Sequence, residues 1–206
     1  MAVPERPRAV RRGYERKFVV AADDGGTLVD ALDRLLARDP MADPDGAYAV
    51  HSLYFDTPDR AVYRRGAAKL RLRRYGDADT LYLERKAKDA RGRVDKVRTA
   101  VPAALIARLD RDHDGWDGAW FARLLADDAF APAQQVSYRR IAWEGEIDRG
   151  PVRVTLDRQI RAAAADRIVV PGPLPDGALL AESPVVEMKH EGDFPEALAR
   201  LADAAG

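Results

Sequence analysis

Three short segments of the chain alternate between apolar and basic residues, which is the pattern of β-strands with one buried and one polar face. Successive side chains of a strand point to opposite sides of the sheet, so residues two positions apart share a face. In residues 69–73 the basic side chains take the odd positions and leucines the even ones. Residues 80–86 and 93–98 repeat the arrangement. The alternation predicts strands whose polar faces are rich in cations.

Two explanations of these cationic faces are open. The ordinary one is solvent, because antiparallel sheets commonly keep one side wet. A solvated face usually mixes the two signs of charge, however, and cations crowded on adjacent strands repel one another unless an anion lies among them. The repetition therefore favours a site for a polyanion over a plain solvated face.

The placement of lysine supports the polyanion site. Only six of the 34 basic residues are lysines, and all six lie in or beside predicted strands: Lys17, Lys69, Lys86, Lys88, Lys96 and Lys189. Lysine carries a compact point charge suited to one phosphate oxygen, whereas arginine presents a planar fork suited to two. The pattern predicts a site that uses both geometries.

The rest of the chain predicts further strands and several amphipathic helices. We expect strands at residues 14–20, 50–56, 134–144, 152–157 with an extension at 159–162, and 184–190. We expect helices at residues 27–36, 57–65, 102–109, 116–125 and 195–205. The predicted fold class is α+β: an antiparallel β-barrel of about eight strands, with a charged lumen and flanking amphipathic helices over an apolar outside.

Length and composition narrow the possible functions. The 206 residues fit a basic N-terminal tail at residues 1–12 and one domain at residues 13–206. The net charge is zero, so no global field attracts nucleic acid or a membrane. The absence of cysteine excludes disulfides, thiolate catalysis and cysteine-ligated zinc. No segment has the pattern of a signal peptide or a membrane span, and we expect a cytoplasmic protein.

The polar faces bring many cations into the predicted lumen, and charges in a space of low dielectric constant must be paired. A chain of phosphates is the natural counter-ion for these side chains: Lys17, Arg71, Arg73, Lys86, Lys96, Arg140 and Arg153. The inward carboxylates Glu15, Glu84 and Glu187 have two explanations. They form salt bridges with neighbours such as Lys17 and Lys189, or they help phosphate oxygens to hold Mg²⁺ or Mn²⁺.

The same segments, taken in order, resemble the VTC domain, the polyphosphate polymerase module of the vacuolar transporter chaperone complex, in its stand-alone bacterial form. That domain is a triphosphate tunnel metalloenzyme. The resemblance covers residues 14–190 and is carried by seven motifs: Tyr14-Glu15-Arg16-Lys17, Ser52-Leu53-Tyr54-Phe55-Asp56, Leu70-Arg71-Leu72-Arg73-Arg74-Tyr75-Gly76, Leu83-Glu84-Arg85-Lys86, Tyr138-Arg139-Arg140, Val152-Arg153-Val154-Thr155-Leu156-Asp157 and Val186-Glu187-Met188-Lys189.

The resemblance implies a tunnel-shaped barrel that moves the γ-phosphate of ATP onto growing polyphosphate, helped by Mn²⁺ or Mg²⁺. It implies that phosphate is bound, and catalysis performed, by Lys17, Arg71, Arg73, Lys86, Arg140 and Arg153, with Lys96 or Arg98 in one further position. It assigns the metal to Glu187. Lys189 shares a face with Glu187 and joins the substrate-binding candidates, and Glu15 is the second candidate metal ligand.

Three functions remain in competition at this point. The first is a metal-dependent phosphotransferase that acts on ATP, triphosphate and inorganic polyphosphate. The second is a tunnel triphosphatase that transfers the phosphoryl group to water. The third is a non-catalytic module that binds polyphosphate, which is the expectation favoured by the end of the sequence at Gly206 without the family's terminal Ser-Lys pair.

Overall fold

The computed structural model of the protein describes residues 13–21, 25–66, 68–88 and 94–205. The basic tail predicted at residues 1–12, the connection predicted at residues 90–92 and Arg93 lie outside the described residues. Within the described ranges, ten strands, four α-helices and one 3₁₀ helix form. The strands are β1 Gly13–Val19, β2 Ala37–Arg38, β3 Tyr48–Asp56, β4 Lys69–Tyr75, β5 Thr80–Lys88, β6 Val94–Pro102, β7 Ala131–Ile147, β8 Gly150–Ala164, β9 Ala178–Ala181 and β10 Val185–Glu191.

The helices among the described residues are short and lie between or after the strands in the sequence. They are α1 Gly25–Leu35, α2 Ala61–Arg65, the 3₁₀ helix Ala103–Asp110, α3 Ala119–Asp127 and α4 Glu196–Ala204. None of the helices among the described residues is both long and apolar enough to cross a membrane. All six lysines lie in strands, as the sequence predicts.

The chain divides into two compact units. The described residues of 50–137 and 162–178 belong to the first unit, and those of 13–49, 138–161 and 179–205 to the second. Four strands, β3, β7, β8 and β9, contribute residues to both units. Each unit has its own hydrophobic cluster.

The first unit is built on the antiparallel series β3, β4, β5 and β6. Its register places Leu72 opposite both Leu53 and Leu83, so the apolar residues of neighbouring strands share one face. These leucines are fully buried beneath α3, where Phe121 meets Phe55 edge to face with ring centroids 5.6 Å apart. Burial of each such side chain stabilises the fold by about 1.5–3 kcal/mol. The predicted separation of apolar and cationic faces is therefore confirmed on the apolar side.

The second unit places β10 between β1 and β8, again antiparallel. Its cluster combines the apolar faces of these strands with Leu32 of α1 and Leu198 of α4, both of which are fully buried. Trp143 of β7 lies in this cluster and donates a hydrogen bond from Nε1 to Oδ1 of Asp33 at 2.8 Å. This hydrogen bond satisfies the indole N–H, as a buried tryptophan requires.

The structure differs from the predicted elements in several places, one of which is the helix predicted at residues 57–65, which begins only at Ala61. β8 is one strand through Gln159, whose φ of 55° bends the backbone where the sequence predicted a break. Residues 102–109, predicted as a helix, form the tighter 3₁₀ helix Ala103–Asp110. β2 and β9 were not predicted, because strands of two and four residues are too short to show a period.

Candidate functional site

The polar face of the first unit is strongly cationic. Its register places Arg71 opposite Glu84, Glu84 opposite Arg98, and Lys86 opposite both Lys69 and Lys96. Among the paired residues of this face whose side chains the structure describes, six cations accompany one carboxylate, Glu84. The cations are Lys69, Arg71, Arg73, Lys86, Lys96 and Arg98. We call Glu84 with Arg71, Arg73, Lys96 and Arg98 the Glu84 cluster.

Glu84 lies at the centre of this cluster, and its side chain is only 4% exposed. Its Oε2 accepts a hydrogen bond from Nε of Arg71 at 2.5 Å, and its Oε1 lies 3.3 Å from Nε of Arg98 and 3.9 Å from Nζ of Lys96. Burial raises the pKa of Glu84, but the charges of Arg71, Arg73 and Lys96 outweigh burial, and the net pKa is lowered. Glu84 is therefore ionised and neutralises one charge of several.

The positive charge that Glu84 does not neutralise lowers the pKa of two neighbouring tyrosines, Tyr54 and Tyr75. Arg71 donates to the Tyr54 hydroxyl at 3.3 Å, and the buried Arg73 donates to Oγ of Ser52 at 3.2 Å. Burial raises the pKa of Tyr54, yet Arg71 and Arg73 lower it by more. The pKa of Tyr75 is lowered as well, because burial raises it but the charges of Arg73 and Arg98 lower it by more. A lowered pKa in a half-buried phenol indicates a strongly positive local potential.

Aromatic packing orients one of these cations. The guanidinium carbon of Arg98 lies 3.7 Å from the centroid of the Tyr82 ring and 5.6 Å from that of Tyr75. Such stacking holds the guanidinium plane, with Nη2 of Arg98 donating to the Tyr75 hydroxyl at 3.4 Å. The first unit thus presents oriented N–H donors and excess positive charge, which is the requirement for binding phosphate oxygens.

The polar face of the second unit is arranged differently, with carboxylates and cations alternating across three strands. The face runs from β1 through β10 to β8. Two of its paired rows are Glu15–Lys189–Arg153 and Lys17–Glu187–Thr155. We call these six residues the charged grid.

Glu187 connects the two lysines of the grid. Its Oε2 lies 2.7 Å from Nζ of Lys17 and its Oε1 lies 2.5 Å from Nζ of Lys189, while Glu15 lies 3.2 Å from Lys17. Burial raises the pKa of Glu187, but Lys189 and Lys17 lower it to about 2. The pKa of Lys17 is raised, because its bonds to Glu187 and Glu15 outweigh burial. The salt bridges predicted as one explanation for the inward carboxylates are present.

The arginines of the second unit also have acidic partners. Arg153 contacts Asp39 at 2.5 Å and Glu144 at 2.9 Å. Arg140 makes two parallel hydrogen bonds to Asp157, both at 2.7 Å. Burial lowers the pKa of both arginines, but the hydrogen bonds to these carboxylates raise it by more, so the net pKa of each arginine is raised. Positive charge in this unit is therefore locally neutralised.

The donor set in the grid fits a divalent cation only in part. Mg²⁺ is commonly held by one or two carboxylates, with phosphate oxygens and water completing its shell. Glu15 and Glu187 flank the ammonium group of Lys17 and could supply two such ligands. Among the residues that the structure describes, no three acidic or histidine side chains converge as a self-sufficient metal centre. A metal here needs phosphate oxygens and requires Lys17 to turn away.

The structure brings the predicted residues together in two groups. Arg71, Arg73, Lys86, Lys96 and Arg98 share the face around Glu84, and Glu15, Lys17, Arg153, Glu187 and Lys189 share the grid, with Arg140 bonded to Asp157 beside it. Sequence reasoning missed the partners Asp39, Asp157 and Tyr54. The alternation of residues in β3 and β8 could have placed Tyr54 and Asp157 on the polar faces. Asp39 lies in a loop, where no periodic pattern indicates the direction of a side chain.

A sequence comparison shows the family of the chain, and structure comparisons show its fold. A family model described as the VTC domain matches residues 12–205. No curated protein sequence matches the chain. A candidate adenylyl cyclase from Hippeastrum, described as revealing a dominant triphosphatase activity, shares the fold with a TM-score of 0.53 and 15% identity over 92% of this chain and 84% of that one.

A candidate adenylate cyclase from Bacillus halodurans has a TM-score of 0.50 and 15% identity over 94% of this chain and 87% of that one. At this identity the likeness concerns the fold alone. It confirms the predicted α+β class, an antiparallel sheet of the triphosphate tunnel type with flanking helices.

Proposed function

The chain belongs to the VTC domain family, and we propose that it is a metal-dependent phosphotransferase that binds ATP or triphosphate and polymerises or processes inorganic polyphosphate. The charge imbalance of the first unit carries this proposal: six cations accompany Glu84 on one face. Crowded and partly buried cations are stabilised by an anion that reaches several of them together. A triphosphate does so, because each of its phosphates offers oxygens to more than one arginine.

The basic residues of both units have one proposed task, which is to bind and position phosphate. They are Lys17, Arg71, Arg73, Lys86, Lys96, Arg98, Arg140, Arg153 and Lys189. Phosphoryl transfer develops negative charge over the transferred oxygens, so donors that bind them in the transition state also accelerate the reaction. The acceptor, a terminal phosphate, is already anionic and requires no general base.

We assign the metal to Glu187 with Glu15 as its neighbour. Mn²⁺ or Mg²⁺ bound there would neutralise charge on the phosphate oxygens. Lys17 would then exchange its carboxylate partners for phosphate. The pKa of Glu187, lowered to about 2, keeps this carboxylate ionised and able to accept a cation at neutral pH. We further propose that residues 13–206 constitute the catalytic module and that residues 1–12 are an accessory basic tail.

A tunnel triphosphatase is the second candidate. The Hippeastrum protein of similar fold is described with a dominant triphosphatase activity, and water would replace the terminal phosphate as acceptor at the same basic groups. The third candidate, a non-catalytic polyphosphate-binding module, is favoured by the second unit, where Arg140 and Arg153 are already engaged by carboxylates.

One incubation separates these three candidates. The protein is mixed with ATP and Mn²⁺, and polymer, free phosphate and ADP are measured over time. A phosphotransferase produces polyphosphate and ADP in proportion, because each γ-phosphoryl group joins the chain end and leaves ADP behind. A triphosphatase releases free phosphate without polymer, and a binding module releases neither.

A thermal assay distinguishes the binding module from an inactive chain. Triphosphate should raise the melting temperature of the protein by mass action, and polyphosphate should raise it more. Sodium chloride at matched ionic strength is the control. Equal shifts with chloride would show general screening and contradict a phosphate site.

A further inference from the structure

The buried polar groups of the second unit include one hydroxyl whose bonding capacity is unused. Within the part of the chain that the structure describes, two buried side-chain polar atoms lack a hydrogen-bond partner: Oγ1 of Thr155 and Nδ1 of His190. Thr155 is only 2% exposed. A buried hydroxyl without a partner has lost its hydrogen bonds to water and gained none from the protein, which destabilises the fold. Valine has nearly the same shape and is favoured in strands, so the hydroxyl at this position needs an explanation.

The position of Thr155 supplies that explanation. It lies on β8 opposite Glu187 of β10, and Glu187 lies opposite Lys17 of β1. Directly opposed side chains in an antiparallel pair have Cβ atoms about 5 Å apart. Alternation along β8 also puts Arg153 and Asp157 on the same face as Thr155. The unused hydroxyl is therefore surrounded by residues that we assign to phosphate and metal.

The second orphaned atom has a different environment. His190 lies on the opposite face of β10 by alternation, where its ring stacks on Tyr14 at 5.4 Å and meets Phe194 edge to face at 5.0 Å. Ring packing accounts for the burial of His190. No comparable packing role requires a hydroxyl at Thr155.

We propose that the Thr155 hydroxyl is a phosphate-binding group that donates a hydrogen bond to a phosphoryl oxygen held by Lys17 and Arg153. This inference rests on the proposed function and adds a neutral donor to its binding residues. Arg153 must release Asp39 or Glu144 to bind phosphate with its full fork, whereas Thr155 gives up no bond. The hydroxyl supplies the one contact in the grid that phosphate gains without displacing a carboxylate.

Removing the hydroxyl while keeping the shape tests the proposal. Thr155→Val should weaken tripolyphosphate binding about tenfold in calorimetric titration, the expected loss for a hydrogen bond to a charged group. Thr155→Ser keeps the hydroxyl and should bind within about twofold of wild type. Without ligand, Thr155→Val should be at least as stable as wild type in urea, since it removes an unsatisfied group.

Thr99→Val is the matched control, because the Thr99 hydroxyl accepts a hydrogen bond from Nε1 of Trp120 at 3.0 Å. This variant should lose stability and bind tripolyphosphate like wild type. The two valine substitutions are thus expected to have opposite effects. If Thr155→Val fails to fold, Thr155→Ala removes the same hydroxyl and decides the binding result.

Two results would overturn the proposal. Wild-type affinity in Thr155→Val would show that the hydroxyl does not touch phosphate, and a large loss of ligand-free stability would assign it to internal bonding, for example through a buried water. Arg71→Ala in the same titration separates this failure from that of the proposed function. If Arg71→Ala weakens binding and Thr155→Val does not, only the role of Thr155 falls. If wild type binds no tripolyphosphate, both fall.

Discussion

The two units use the same kinds of residue on their polar faces but arrange the charges in opposite ways. On the polar face of the first unit, among the paired residues whose side chains the structure describes, one carboxylate, Glu84, lies among six cations. In the second, Lys17, Lys189, Arg140 and Arg153 each contact at least one carboxylate at 3.2 Å or less. Positive charge is therefore in excess among the described residues of the first face, whereas the cations named on the second face contact carboxylates of the protein itself. Counting basic residues alone does not distinguish these two situations.

The difference predicts two modes of phosphate binding. A phosphate that reaches the first unit gains attraction and relieves repulsion between cations. A phosphate that reaches the second unit must displace a carboxylate or arrive with a cation that neutralises it. We therefore expect the affinity for triphosphate to depend chiefly on the first unit, and its dependence on metal to arise in the second.

The largest expected effect is that of removing the carboxylate of Glu84. Glu84→Gln leaves Arg71, Arg98 and Lys96 without their buried counter-ion. We expect a loss of about 3 kcal/mol in the free energy of unfolding, the magnitude found when a buried pair is broken. Urea denaturation measures the loss. Saturating triphosphate should stabilise Glu84→Gln more than it stabilises wild type.

The control for Glu84→Gln makes the same chemical change in the second unit. Glu144 is 52% exposed, and Arg153 keeps Asp39 when Glu144 is changed. Glu144→Gln should therefore cost less than about 1 kcal/mol. Equal stability of the Glu84 and Glu144 variants would contradict the contrast between the units.

The next effect concerns affinity. Arg71→Ala should weaken triphosphate binding by about one to two powers of ten, because charge-assisted bonds to phosphate are lost. Arg71→Lys restores the charge without the planar fork and should recover only part of the loss. Isothermal titration measures both variants.

Arg74→Ala is the control on the same strand. Arg74 lies on the opposite face of β4 and donates to the carbonyl oxygens of Asp77 and Ala78, so its removal should leave affinity unchanged. Complete recovery by Arg71→Lys would show that charge, and not the geometry of the guanidinium, determines binding.

A third test addresses the metal. If Glu187 holds Mn²⁺ against triphosphate, Glu187→Gln should abolish turnover and the increase in affinity that Mn²⁺ causes. Triphosphate alone should still bind, and somewhat more tightly, since a repelling carboxylate has been removed. Titrations with and without Mn²⁺ in wild type, Glu187→Gln and Glu144→Gln give the result. Undiminished metal enhancement in Glu187→Gln would restrict Glu187 to neutralising Lys17 and Lys189.

The smallest expected effect is a spectroscopic one. Burial raises the pKa of Tyr54 and the nearby arginines lower it by more. Triphosphate should cancel part of this positive potential, so the pKa of Tyr54 should rise when ligand binds. Ultraviolet titration of tyrosinate in wild type and Tyr54→Phe, with and without triphosphate, measures the change. An unchanged titration would place the bound anion away from the Glu84 cluster.

Much of the fold follows from periodicity. Alternation in residues 69–73 and 80–86 predicted which side chains form the apolar face, because a strand has a period of two whatever its neighbours are. The leucines of both segments are in the core, and their basic neighbours lie on the other face. The VTC resemblance likewise depended on short local motifs and is confirmed. The pattern could not predict β2, since two residues have no period.

Pairing between strands was beyond reach of the same reasoning. Arg153 and Asp39 are 114 residues apart in sequence, yet Nη2 of Arg153 lies 2.5 Å from Oδ2 of Asp39. No local sequence pattern around either residue predicts this pair. The sequence predicted Arg140 as one more cation of the lumen, although Asp157 accepts hydrogen bonds from both Nε and Nη2 of this arginine.

By itself, the sequence determined the strand faces, the strand placement of every lysine and the family, because each depends on residue order along one segment. Only the tertiary structure decided which charges are neutralised, since Coulomb energy depends on distances across strands and loops. It separated the unbalanced Glu84 cluster from the balanced grid. It also left the hydroxyl of Thr155 without a bond beside Lys17 and Glu187, which no pattern of residues could indicate.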